Sequence, residues 1–241
     1  MSKTYSVMIA GEAALVREYG ELCLNRKHTV AARPNPGGNG PLPKGVKKVP
    51  LKSATVALEL TNIDLDRKKK NLALLDRSLA PGIPILSSSV TVTVAEQSTW
   101  IANPGRLVGI AALPSLLEGS AIEMAYAQSV DEGTVAGAKE FIASLGREVA
   151  VVQDSIGPVM PRILCMLANE AYFAMMEGVA EGGDIDTAMK LGTNHPFGPV
   201  ERAGKIGIGS VSAVLQALHR HFGEDRYRIA PLLQRMAFPR G

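Results

Sequence analysis

VAVVQDSIGPVMPRILCMLANEAYFAMMEGVAEGGDIDTAMKLGTNHPFGPVERAGKIG, residues 149–207, decides the fold, because a strand, a sharp turn and an unusually apolar helix follow one another inside it. Val149, Val151 and Val152 are β-branched and apolar, which predicts a buried strand, and Asp154, Gly157 and Pro158 mark its end. Pro161 then falls in the first turn of a helix, where a missing N–H costs nothing. From Arg162 to Gly178 the polar residues Arg162, Asn169, Glu170 and Glu177 recur about once per heptad, and the rest of the circumference is apolar. A helix with so narrow a polar stripe is expected inside a core or a subunit interface. Asp184 is the expected N-cap of the next helix and Gly192 its expected stop.

Upstream, strands and helices alternate. Strands are expected at 5–10, 28–33, 54–61, 83–88, 107–112 and 121–125, ahead of the one at Val149, with helices at 12–27, 64–79 and 131–145. The segment 34–45, PNPGGNGPLPKG, is too rich in Pro and Gly for regular structure and reads as a loop. Alternation of this kind predicts an α/β, doubly wound, mostly parallel sheet of Rossmann-like type over residues 1–156, followed by an all-helical domain over 157–241.

Composition excludes several classes. The chain has 241 residues, 46% of them hydrophobic and 20% charged, which is the balance of a globular protein. A net charge of +3 is too small to argue for nucleic acid. No run approaches the roughly 18 apolar residues of a membrane span, and Met-Ser-Lys-Thr-Tyr is not a secretory leader, so a cytoplasmic protein with no membrane partner is expected. Cys23 and Cys165 lie in predicted helices among apolar neighbours and are expected as buried thiols. His28, His195, His219 and His221 show no metal-ligand spacing.

Several spaced motifs, in order, carry a resemblance. They are Asp154-Ser-Ile-Gly157-Pro with Arg162, Asn169-Glu170-Ala171, Glu177-Gly178-Val179-Ala180, Asp184-Ile185-Asp186 through Gly192, Pro196-Phe-Gly198-Pro199, and Tyr227-Arg-Ile-Ala-Pro231 through Met236. Together they resemble the join and C-terminal domain of short-chain 3-hydroxyacyl-CoA dehydrogenases. The resemblance implies a homodimer through the helices after Pro161, an acyl-CoA ligand, and NAD or NADP as cofactor.

A dinucleotide site needs glycines after the first strand for a tight turn, for close approach of the pyrophosphate and for helix packing. Gly11, Ala13 and Val16 stand at those positions, so only the first requirement is met. Arg33 or Pro34 replaces the acid expected at the end of the second strand, and an arginine there suits a 2′-phosphate. Arg67-Lys68-Lys69-Lys70 reads as a solvated helix face, whereas the resemblance places Lys68 near the nicotinamide cofactor.

The family's catalysis uses a His and Glu pair, the imidazole taking the hydroxyl proton as hydride leaves. Glu123 matches the glutamate, but Ala111 matches the histidine. The family's substrate-contacting serines match Val90 and Thr91, or Ser88 and Ser89 after a slip of one or two residues. Pro114 and Pro161 stand where the family has asparagines. The resemblance therefore implies an oxidoreductase of 3-hydroxyacyl thioesters with weak or no activity; the alternative is a non-catalytic acyl-CoA or nucleotide binder, or a structural dimer partner of an active paralogue.

Overall fold

The structure, a computed structural model, describes residues 3–37, 41–47 and 51–237. Part of the expected loop at 34–45 lies outside the described residues. The chain divides into two compact units, Met1–Pro158 and Val159–Gly241.

The first unit is built from β1 (Ser6–Gly11), α1 (Ala13–Asn25), β2 (Thr29–Pro34), β3 (Val56–Leu60), α2 (Leu65–Ser78), β4 (Ile85–Ser88), α3 (Val94–Ser98), β5 (Leu107–Ile110), β6 (Ala121–Ala125), α4 (Glu132–Ser144) and β7 (Glu148–Val151). The strands form one sheet in the order β2-β1-β3-β4-β5-β6-β7. All neighbours are parallel except β5 and β6, which run antiparallel through Gly109↔Ala125 and Ile110↔Met124.

Alternating residues of the central strands feed cores on both faces. Val7, Ile9, Val56 and Leu58 pack with Leu15, Val16 and Tyr19 of α1 and with Phe141 and Ile142 of α4. Met8, Ala57 and Ile85 pack with Leu72 and Leu75 of α2 and Val94 of α3. Burial on both faces is why these strands read as near-continuous apolar runs.

Two expectations are corrected in this unit. The strand at Val149 is not buried: β7 closes the edge of the sheet, and Val151 is 51% exposed. Its residues have the β-branched character of a central strand, and composition does not distinguish edge from centre. The basic run is not wholly solvated either, because Lys68 has no exposed surface. Helix α3 was also unforeseen. It is too short for periodicity to reveal and is set by its caps: Thr93 Oγ1 accepts from Glu96 N at 3.1 Å, and the Asp154 carboxylate accepts from Val94 N and Ala95 N, both at 2.8 Å.

The second unit comprises α5 (Val159–Met176), α6 (Gly182–Thr193), α7 (Pro199–Ile206), α8 (Ile208–Phe222) and α9 (Pro231–Ala237). Within α5 the expected polar stripe is broken at Asn169, which is buried. Its Nδ2 donates to Arg228 O at 2.9 Å and its Oδ1 accepts from Ala230 N at 2.8 Å, tying α5 to the segment before α9. Helix α6 begins one turn earlier than expected, with Glu181 and not Asp184 as N-cap, and runs through Gly192 to a left-handed Asn194. The Asp186 carboxylate caps α7 by accepting from Val200 N at 2.8 Å and Glu201 N at 2.9 Å. A Cβ on Gly198 would collide with that carboxylate, which accounts for the glycine of the Phe-Gly-Pro turn.

Candidate functional site at the switch point of the sheet

From β1 the chain passes through α1 to β2 on one side and later to β3 on the other, so the sheet's switch point lies between the C-terminal ends of β1 and β3. Ligands of open α/β sheets bind at such points. Gly11 ends β1 at φ +140°, and a Cβ there would lie 2.5 Å from the Leu60 carbonyl carbon, so only glycine lets the strands approach this closely. Glu12 follows, half-buried at the N-cap of α1. Its N–H donates to Leu60 O at 3.1 Å. Its Oε1 reaches across the crevice and accepts from Asn62 N at 2.7 Å and Ile63 N at 2.8 Å. Burial pushes the Glu12 carboxyl above its ordinary range, and the two amides oppose that shift.

Beneath the crevice lies a buried polar network. Lys68 Nζ meets Glu59 Oε2 at 2.5 Å and donates to Thr61 O at 3.0 Å, and neither side chain of the ion pair is exposed. Asn71 Nδ2 donates to Glu59 Oε1 at 3.1 Å and to Asn35 Oδ1 at 3.0 Å, and Asn35 Nδ2 donates to Thr61 Oγ1 at 3.0 Å. Desolvation lowers the Lys68 value, while Glu59 pulls it back up. Asn35 N also donates to Gly11 O at 2.7 Å, joining the network to the turn after β1.

A second cluster surrounds Asn62. Ser88 Oγ donates to Asn62 Oδ1 at 2.6 Å, Thr91 Oγ1 donates to Asn62 O at 2.7 Å, and Asn62 Nδ2 donates to Ala112 O at 2.8 Å. Ser89 is buried, and its Oγ has no hydrogen-bond partner among the described residues. Ala111, 6% exposed, follows β5 and donates its N–H to Glu123 O at 3.0 Å, so these two residues sit side by side on neighbouring strands. Glu123 is itself buried.

Of the residues singled out in the sequence, Gly11, Lys68, Ser88, Ser89, Thr91 and Glu123 thus fall at or just behind the C-terminal ends of β1, β3, β4 and β5 or on the strand beside them. Arg33 is exposed near the end of β2, outside these networks. Glu12, Asn35, Glu59, Asn62 and Asn71 were missed. The one available signal was the acidic residue directly after Gly11. Among the described residues no group of three His, Cys, Asp or Glu side chains could hold a metal, and no helix is long and apolar enough to cross a membrane.

A Rossmann-like sheet with its polar residues gathered at the switch point places the chain among the open α/β folds that bind ligands there. Residues 157–238 match the family model described as 3-hydroxyacyl-CoA dehydrogenase, C-terminal domain. The 3-hydroxybutyryl-CoA dehydrogenase of Bradyrhizobium diazoefficiens is 33% identical over 69% of this chain and 57% of its own length. That of Clostridioides difficile is 29% identical over 77% of this chain and 66% of its own. The chain therefore spans about three-fifths of the length of the curated relatives it matches. The crystal structure of (S)-3-hydroxybutyryl-CoA dehydrogenase from Ralstonia eutropha superposes with a TM-score of 0.78 over 97% of this chain and 93% of that one, at 22% identity, a likeness of fold. Residues 157–238 belong to the 3-hydroxyacyl-CoA dehydrogenase family by their C-terminal domain, and the rest of the chain is similar to members of that family.

Membership of a dehydrogenase family with this fold speaks in general for a nicotinamide dinucleotide, whose pyrophosphate would lie against the turn after β1. The residues present do not fit it. Ala13 and Val16 replace two of the glycines, the Glu12 carboxylate spans the crevice, and no acid follows β2 to hold ribose hydroxyls.

Proposed function

We propose that this is a 3-hydroxyacyl-CoA dehydrogenase-family protein with little or no dehydrogenase activity. Ala111 carries the reading. A base must accept the hydroxyl proton of the 3-hydroxyacyl thioester as hydride leaves, and a methyl group cannot do so. Glu123, next to Ala111 across the strand pair, would act in the family through the imidazole that is lacking here. Without that relay, the rate falls by the factor of about 10² to 10⁴ that general acid-base catalysis contributes. NAD or NADP is held weakly, for want of the glycines and the acid.

The test follows the appearance of reduced cofactor when 3-hydroxybutyryl-CoA is mixed with NAD or NADP. No turnover above the buffer rate is expected. Robust turnover abolished by Glu123→Gln would overturn the proposal and make Glu123 the direct base.

A second reading, a non-catalytic binder of an acyl-CoA or nucleotide or the dimer partner of an active paralogue, is favoured by the surface of the helical unit. Val179 is 72% exposed and Leu191 83%, with Val159, Met160, Ile163 and Met176 also exposed on or beside α5. So many large apolar side chains on one small unit mark a contact surface. The exposed residues of α5 and α6 support the expected homodimer through the helices after Pro161. A melting-temperature panel with NAD, NADP, CoA and acetoacetyl-CoA separates the readings, since only a ligand that binds the native state raises the midpoint.

A further inference from the structure

The turn that leaves β1 carries a carboxylate where a dinucleotide-binding fold leaves room for an anion. Glu12 is held at both ends, its main-chain N–H on Leu60 O and its side-chain Oε1 on the amides of Asn62 and Ile63. It thereby fastens the turn after β1 to the turn after β3. Those are the walls of the switch-point crevice. Main-chain N–H groups at such turns and helix starts are the groups that phosphates bind. Here two of them already serve an internal anion. A pyrophosphate entering the crevice would have to displace Glu12 or lie beside its negative charge in a half-buried setting, where like charges repel more strongly than in water.

We propose that Glu12 is an internal plug, a latch between the β1 and β3 turns that excludes NAD and NADP from the crevice in addition to the loss of the glycines. This rests on the reading that the crevice is the family's dinucleotide site. It does not rest on Ala111, because binding needs no base.

The test is a fluorescence titration of NADH against the parent chain, Glu12→Gln and Glu12→Ala, none of which is asked to turn over. Gln keeps an oxygen that can accept from both amides and loses only the charge; Ala loses the charge and the bridge. NADH affinity should rise from parent to Gln to Ala, with Glu12→Ala at least about tenfold tighter than the parent, or about 1.4 kcal/mol. Amide hydrogen exchange at Asn62 and Ile63, measured without nucleotide, should quicken in Glu12→Ala and stay near the parent's in Glu12→Gln. Micromolar NADH binding by the parent, or no gain in either variant, overturns the plug. Unchanged exchange in Glu12→Ala overturns the latch. If the alanine variant does not fold, the glutamine variant decides, because it keeps the bridge: tighter binding than the parent supports the plug and equal binding refutes it. Faster exchange with no gain in binding refutes the plug alone, whereas turnover by the parent chain is the separate result that refutes the functional reading.

Discussion

Lys68 and Glu59 form an ion pair with no exposed surface on either side chain, and Asn71 and Ser87 also meet that carboxylate. Removing one charge from such a pair leaves the other buried and uncompensated. Lys68→Ala should therefore destabilise the chain by about 3–5 kcal/mol in urea unfolding. A cost under about 1 kcal/mol would mean that water reaches the site. The sequence shows Lys68 as one of a run of cations, and nothing in the run marks the one that turns inward. Its partner Glu59 sits in a strand nine positions earlier, where it reads as a lone charge. The other partners are no more legible, since Asn35 and Asn71 bond across 36 positions of chain.

His28 shows the same inward turn with a different consequence. It is 4% exposed; Tyr5 N donates to its Nδ1 at 3.3 Å, so Nε2 carries the proton and faces Ser144 Oγ at 3.0 Å, and Ser144 donates onward to Phe141 O. Desolvation lowers its value from the ordinary 6.5. An imidazole depressed in the folded state contributes stability that is complete above its unfolded value and is lost as pH falls through the folded one. The melting temperature should accordingly drop as pH falls below about 6.5, the ordinary histidine value, and His28→Gln should flatten that part of the profile. An equal slope in parent and variant would place the pH sensitivity elsewhere.

At the scale of elements, the motifs that pointed to the family are mostly caps and turns. Asp154 caps α3, Asp186 caps α7 across Gly198, and Asn169 clasps the segment before α9. These roles explain why the fold was readable from scattered motifs while the chemistry was not, since a cap needs one residue type at one place and a site needs several brought together. Strand direction was not readable. β6, AIEMA, is short and mostly apolar, as parallel strands also are, so nothing local reports that it runs antiparallel to β5. The apolar circumference of α5 was readable, and part of it is exposed. If α5 and α6 form the dimer surface, Leu191→Glu and Met176→Glu together should shift the mass in solution from dimer to monomer at micromolar concentration without lowering helical content. A parent chain that is already monomeric would remove the dimer from the account.

At the scale of the whole chain, the fold is like that of the Ralstonia eutropha enzyme, while on the proposed reading two places that would face a ligand depart from the family. On that reading Ala111 takes the place of the base, and Glu12, which spans the crevice between the β1 and β3 turns, keeps the cofactor out. The first is a reading of matched motifs; the second needed coordinates, because a glutamate after Gly11 could equally have pointed to solvent. The two losses that single substitutions can reverse predict a non-additive repair, since a cofactor without a base and a base without a cofactor are both silent, while the missing glycines and acid lower the repaired rate without abolishing it. The most direct measurement is the rate of 3-hydroxybutyryl-CoA oxidation by the parent, Ala111→His, Glu12→Ala and the double variant, with NAD and with NADP. The account predicts no turnover by the parent or either single variant and measurable turnover by the double variant. A parent chain that already turns over, or a double variant that binds NADH and remains as silent as the parent, would contradict it.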